Sequence, residues 1–238
     1  MLKVSRGTTA AYLAPMFITI ALVSGTPIVY TLYLSLTNLS LQTVLYVIIC
    51  VALFLVVGML TALALNNRKI KGQAFWRVAL LVPWAAPSAI TALIWKFLFN
   101  YDFGPINQIG RVFFGRNFGV PWVTSPWWAF AAVVMVNVWL TYPFFTVVIL
   151  GALQSVPEEL HEAARVDGAN AWRRFFSVTL PLVRPAITPA AILSAITTFQ
   201  MFNTVFLITS GGPTPDPSRP GFTEFVMIYM YNRVVGAN

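Results

Sequence analysis

The sequence predicts an all-α protein that crosses a membrane several times. Charged residues are 9% of the 238, against about a quarter in soluble domains. Mean hydropathy is +0.75 and 58% of residues are hydrophobic, more apolar surface than a soluble domain of this length can hide. Residues 7–67 carry no charge, a run too long for one span of about 20 residues and sufficient for two. Continued along the chain, the pattern gives five spans and part of a sixth, in a single transmembrane domain over 1–238.

Span one is expected over 12–36 and span two over 42–65, with Thr37-Asn38-Leu39-Ser40 as a polar hairpin between them. Lys3 and Arg6 precede span one, and Val23-Ser24-Gly25 has the small residues of a cleavage site. The apolar run is nevertheless too long for a signal peptide and reads as a retained helix. Arg68-Lys69-Ile70-Lys71 and Arg77 form a basic loop before span three, 78–98, which contains Pro83 and Pro87. Neighbouring groups make such prolines tolerable in membrane helices. A loop over 99–126 holds Trp122, and with Trp127 and Trp128 it suits a membrane–water boundary. Span four follows at 127–150, a charged segment at 151–185, and span five at 186–209. Gly211-Gly212-Pro213 opens a proline-rich loop, and Phe222–Asn238 approaches a further helix. With the N-terminus in the cytoplasm, ten basic residues fall inside and five outside. That bias supports this orientation and puts the charged segment in the cytoplasm.

Seven of the 22 charged residues crowd between Glu158 and Arg174. Ser155-Val156-Pro157-Glu158 has the spacing of a capping box, with proline in the first turn. Glu158, Glu159 and Glu162 lie where the helix dipole favours acids. Leu160, Ala163 and Ala164 share one small apolar face. Gly168 stands where a left-handed cap needs glycine. A second short helix follows, with Trp172, Phe175 and Phe176 on one face and Arg173 and Arg174 on the other, before Pro181 and Pro185 restart the chain toward span five. An amphipathic loop lying on lipid would prefer Lys and Arg on its polar face. An acidic first helix with small alanines suits a protein groove better.

Several chemistries are excluded. The pI near 10.0 comes from scattered basic residues rather than a clustered face, which argues against nucleic acid. Cys50 is the only cysteine, so no intrachain disulfide or cysteine metal site forms. His161-Glu162-Ala163-Ala164-Arg165 ends in Arg where a zinc HExxH motif needs His, and no metal site is expected. No GxxxxGK[ST] occurs, so ATP is not bound by a P-loop in this chain.

Glu162-Ala163-Ala164, three residues, Gly168, nine residues, then Val178-Thr179-Leu180-Pro181 resembles the EAA loop of ABC importer permeases, with Val178 for the usual Ile. The stretches Leu81–Pro87, Phe99–Asn107, Val136–Pro143 and Thr209–Pro213 extend the resemblance to the sugar branch, and in particular to the larger membrane subunit of maltose-type importers. The resemblance implies the transmembrane fold of type I importers. It also implies a second permease subunit, two ATPase subunits that bind ATP and Mg²⁺, and an extracytoplasmic sugar-binding protein. Within a coupling loop at 155–181, Glu162, Ala163, Ala164, Asp167 and Gly168 match the positions that dock in an ATPase cleft. The implied location is the inner membrane of a bacterial or archaeal cell. The family's sizeable outer loop between its first two spans has no counterpart where Leu39-Ser40 meets Leu41-Gln42.

Polar residues in mid-membrane are functional suspects. Asn137, Thr141 and Phe144 share a helix face with Leu140 beside them, and Ser194, Thr197 and Thr198 share another. The resemblance matches these seven to sugar-contacting positions. Thr197 and Thr198 replace the family's aromatic and amide residues, which points to a sugar without fixing maltose. Interhelical hydrogen bonding is the plainer role for Ser, Thr and Asn in bundles. A secondary transporter or channel acting alone would need a buried charge for ion coupling, and spans one, two, four and five have none. A membrane-embedded enzyme would need a catalytic cluster that the spans also lack. The expectation is a non-catalytic permease of an ATP-driven sugar importer.

Overall fold

The computed structural model describes residues 38–67, 71–214 and 220–235, and the fold below is that of the unit beginning at Gln42. Span one, Lys3, Arg6, the Val23-Ser24-Gly25 site and the basic residues Arg68 and Lys69 lie outside the described residues. Every regular element among the described residues is helical.

Helix α1 spans Asn38–Asn66. Asn38-Leu39-Ser40 is thus the first turn of a helix and not part of a hairpin. Asn and Ser favour helix starts as well as turns, so polarity alone could not separate the two. Span three is corrected to two helices, α2 (Gln73–Ala85) and α3 (Ser88–Leu98), bent by 93° at the break between them. Ala86 is extended at ψ 135°, because a residue before proline is driven out of the α region. Pro87 then caps α3 without an N–H of its own.

The expected loop at 99–126 contains α4 (Pro105–Phe114). Asn107, fully buried, holds it in place. Its Nδ2 donates to the carbonyls of Tyr101 (3.2 Å) and Val120 (3.0 Å). Its Oδ1 accepts from the Val120 N–H (3.0 Å) and the Trp122 Nε1–H (3.3 Å). Arg111 adds bonds to the carbonyls of Phe118, Asp102 and Tyr101. Trp122 is therefore interior, tilted against Phe99 at 5.1 Å, and not an anchor at the lipid boundary. Trp127 and Trp128 remain exposed.

Span four is α5 (Pro126–Gln154). It crosses α1 closely at Gly58, where a Cβ would meet that of Phe145 at 2.5 Å. Thr61 and Thr146 hydroxyls bond at 2.6 Å beside this crossing, the small-residue and hydroxyl packing of membrane helices. Tyr46 of α1 stacks on Phe225 at 4.3 Å.

Helix α6 (Glu158–Val166) follows, then α7 (Ala171–Arg174), a π-turn over Phe175–Thr179 and α8 (Leu180–Phe199). The last three are one 29-residue run, Ala171–Phe199. The second short helix is therefore not separate, and span five starts earlier than 186 and ends at Phe199. Pro181 comes just after the π-turn, whose wider backbone spacing accommodates a residue without an N–H, so it does not interrupt the run. The remainder of the expected span is α9 (Asn203–Thr209), packed on α3, and the partial sixth is α10 (Val226–Val235). Among the described residues, three helices are long and apolar enough to cross a membrane, or four if the bent α2–α3 pair is one span.

Candidate functional site

Two sites arise, at different depths. The first is the knob made by α6 and its corner. The expected capping box does not form: Pro157 is the cap residue, and the Ser155 hydroxyl donates instead to the Ala152 carbonyl at 2.8 Å. The preceding helix end offers unpaired carbonyls that compete for the hydroxyl. The C-terminal end meets expectation. Gly168 has φ +76° with open space around a Cβ, so glycine is required here by the backbone conformation. The Gly168 N–H bonds the Arg165 carbonyl (3.0 Å) and the Ala169 N–H bonds the Ala164 carbonyl (2.9 Å), a Schellman motif. Asn170 Oδ1 then accepts from the Arg173 N–H at 2.9 Å, and Arg174 Nη1 donates to the Ala169 carbonyl at 3.0 Å. The corner is thus braced on both sides. Glu162, Ala163, Asp167 and Gly168 are exposed, and Ala164 is half-buried. Val166, 88% exposed, and Trp172, 73% exposed, add apolar surface. The knob presents one carboxylate-bearing face with small residues, held rigid at the foot of α8.

The second site lies along α5. Asn137 is fully buried and Leu140 nearly so, while Thr141 and Phe144 are half-buried. Thr141 Oγ1 donates to Asn137 Oδ1 at 3.4 Å. Asn137 Nδ2 makes no hydrogen bond of good geometry, but the Tyr46 hydroxyl and the Cys50 thiol lie beside it as hydrogen-bonding neighbours. A buried amide donor held this loosely carries part of the about 1–3 kcal/mol that an unsatisfied group costs. Ser194 and Thr198 are buried, but Thr197 does not share their face inward. It is exposed, and its hydroxyl donates to the Ser194 carbonyl at 3.1 Å. Positions i and i+4 repeat more closely on a helix than i+3, so Ser194 and Thr198 point inward together.

Sequence reasoning missed two neighbours of this site. Trp84, 59% exposed, stacks on Phe144 at 6.5 Å, because α2 packs along α5. Tyr46 is buried, and its hydroxyl donates to Met201 Sδ at 3.6 Å, linking α1 to the end of α8. Trp84 stood in a proline-flanked motif, but only the packing of α2 on α5 reveals its partner.

A helical membrane unit with a rigid exposed EAA corner defines the class. Residues 54–232 match the family described as "Binding-protein-dependent transport system inner membrane component", and the chain belongs to that family. It is a multi-pass membrane protein. Among its relatives is the "Maltose/maltodextrin transport system permease protein MalF" of Salmonella typhimurium, 38% identical over 193 residues, which covers 79% of this chain and 37% of that protein. The "Trehalose/maltose transport system permease protein MalF" of Thermococcus litoralis is 40% identical over 171 residues, covering 72% of this chain and 57% of that protein. The chain thus spans a little over a third to somewhat over half the length of these relatives. In fold it resembles a chain of a bacterial alginate ABC transporter crystallised with an alginate pentasaccharide-bound periplasmic protein. That match has a TM-score of 0.68 and 20% identity, over 94% of this chain and 82% of the other.

Proposed function

We propose that this chain is the larger permease subunit of an ATP-driven sugar importer, carrying maltose, maltodextrin or another oligosaccharide. It forms half of the pathway with a second permease subunit, and an extracytoplasmic binding protein delivers the sugar. Two ATPase subunits hold ATP and Mg²⁺ and perform the hydrolysis, so this chain is not itself catalytic. Its coupling loop, 155–181, sits on the cytoplasmic side of the inner membrane of a bacterial or archaeal cell, with the N-terminus on the same side. The observation that carries the reading is the exposed Glu162-Ala163-Ala164 helix ended by the Gly168 corner and braced against α8. A knob that is rigid and continuous with a span converts closure of an ATPase cleft into movement of that span, as alternating access requires. Trp84 and Phe144 supply aromatic faces for a sugar ring, and Thr141, with the loosely bonded Asn137 behind it, supplies the polar partners for a sugar hydroxyl.

ATP hydrolysis by the complex that co-purifies with this chain in nanodiscs tests the reading, with binding protein and a sugar panel added. Hydrolysis should rise with one sugar class and lose that stimulation in Glu162→Lys, because the reversed charge meets a basic groove. If no ATPase subunit accompanies the folded chain, the coupling reading fails and a transporter acting alone takes its place.

A further inference from the structure

A polar cavity and an apolar groove join at the coupling end of the spans. The cavity, about 670 Å³, lies between the end of α1, the start of α2, the end of α5 and helix α6. Arg77, His161 and Arg165 line it, with Gln73 and Asn66, and Glu158 is the single carboxylate among the lining residues. The balance is cationic. The groove, about 240 Å³, continues from it between α2 and α5, and Leu65, Arg77 and Gln154 line both. Its walls are Leu80, Leu81, Pro143, Val147 and Leu150. Gly151 lines it too, and a Cβ there would meet nothing within 4 Å, so a larger side chain has room to enter the groove. From Pro143 to Gln154 the groove follows α5 for about 16 Å, half of a hydrocarbon core about 30 Å thick. That is the depth of one leaflet. Phe75 and Trp76, 68% and 50% exposed, flank Arg77 at the start of α2, where aromatic residues mark the membrane boundary.

We propose that this cavity and groove form a site for an anionic phospholipid, with its phosphate among Arg77, His161 and Arg165 and an acyl chain along Gly151. Basic pockets between membrane helices take such headgroups, and the attached leaflet-deep apolar groove favours a lipid over a free anion. The bound lipid would join α1, α2 and α5 to the foot of the coupling helix. Only the leaflet, cytoplasmic, depends on the orientation proposed above. Lipid retention is read without transport, so its failure leaves the coupling reading standing.

The test is native mass spectrometry of the intact complex, extracted from membranes of equal phosphatidylglycerol and phosphatidylcholine content. Wild type should retain phosphatidylglycerol about thirtyfold over phosphatidylcholine, the ratio expected for two basic residues at a membrane surface. The exposed pair Arg77→Gln/Arg165→Gln should bring the two lipids to parity. Gly151→Leu, which fills the groove with a good helix former, should lower phosphatidylglycerol retention with both arginines in place. Equal retention of the two lipids by wild type overturns the proposal. So does undiminished phosphatidylglycerol in both variants. Displacement of the lipid by millimolar inorganic phosphate, with Gly151→Leu neutral, makes the cavity a free-anion site and overturns it as well.

Discussion

Asn137 poses a problem that ordinary packing does not solve. It is fully buried, its oxygen accepts a long bond from Thr141, and its Nδ2 has no bond of good geometry, only the Tyr46 hydroxyl and the Cys50 thiol beside it. Were its role structural, replacement by a similar-sized apolar residue would damage the α1–α5 contact. If it is instead a donor to the proposed sugar, its loose bonding is a cost that the sugar removes. Asn137→Leu should therefore hold or raise the thermal midpoint, removing a loosely bonded group that carries part of a cost of about 1–3 kcal/mol, while sugar-stimulated ATP hydrolysis falls at least several-fold. Nano-scale fluorimetry and an ATPase assay on the same sample read both. A fall in midpoint with stimulation unchanged would mark Asn137 as packing only. Asn137 was legible in the sequence as a lone amide in an apolar run. Its loose bonding was not, because that depends on what α1 places opposite.

At the scale of elements, the segment after α3 is held by one side chain. Asn107 uses both donors and its carbonyl oxygen to close the α4 loop onto Trp122. Asn107→Leu leaves buried backbone groups and an indole N–H unpaired, at about 1–3 kcal/mol for each group that water cannot reach. The expected result is a clear drop in thermal midpoint, with Trp122 emission shifting to the red as solvent reaches it. Unchanged emission would show that the loop stands without this residue. The sequence reading took 99–126 as irregular because glycines, prolines and asparagines usually mark loops. It could not see that one of those asparagines organises a helix. The bend at Ala86-Pro87 was half legible. Both prolines were noted, and the rule for the residue before proline is local, but a 93° turn depends on α3 finding α9 to pack against.

For the whole molecule, the proposed orientation puts α4 and the α6 knob on opposite sides of the membrane. Cys50 is fully buried and does not compete for a thiol reagent. Asn117→Cys, beside α4, should react with a membrane-impermeant maleimide in intact spheroplasts. Glu159→Cys should react only after permeabilisation. The reverse pattern would invert the topology and remove the coupling role of the knob.

Composition and periodicity alone determined that this chain is helical and lives in lipid, because a nearly charge-free 60-residue stretch has few other stable solutions. They also located the EAA corner, since acids at a helix start and a glycine at its end are consequences of local backbone chemistry. Tertiary structure decided what is not local. It made α7 and α8 one continuous rod through a π-turn, turned Thr197 away from Ser194 and Thr198, and set Trp84 on Phe144. It also set Asn137 beside Tyr46 and Cys50 without a bond of good geometry, and opened a groove that Gly151 lines. Each depends on which residues distant in sequence come to face one another, and a pattern with a period of three or four residues does not encode that.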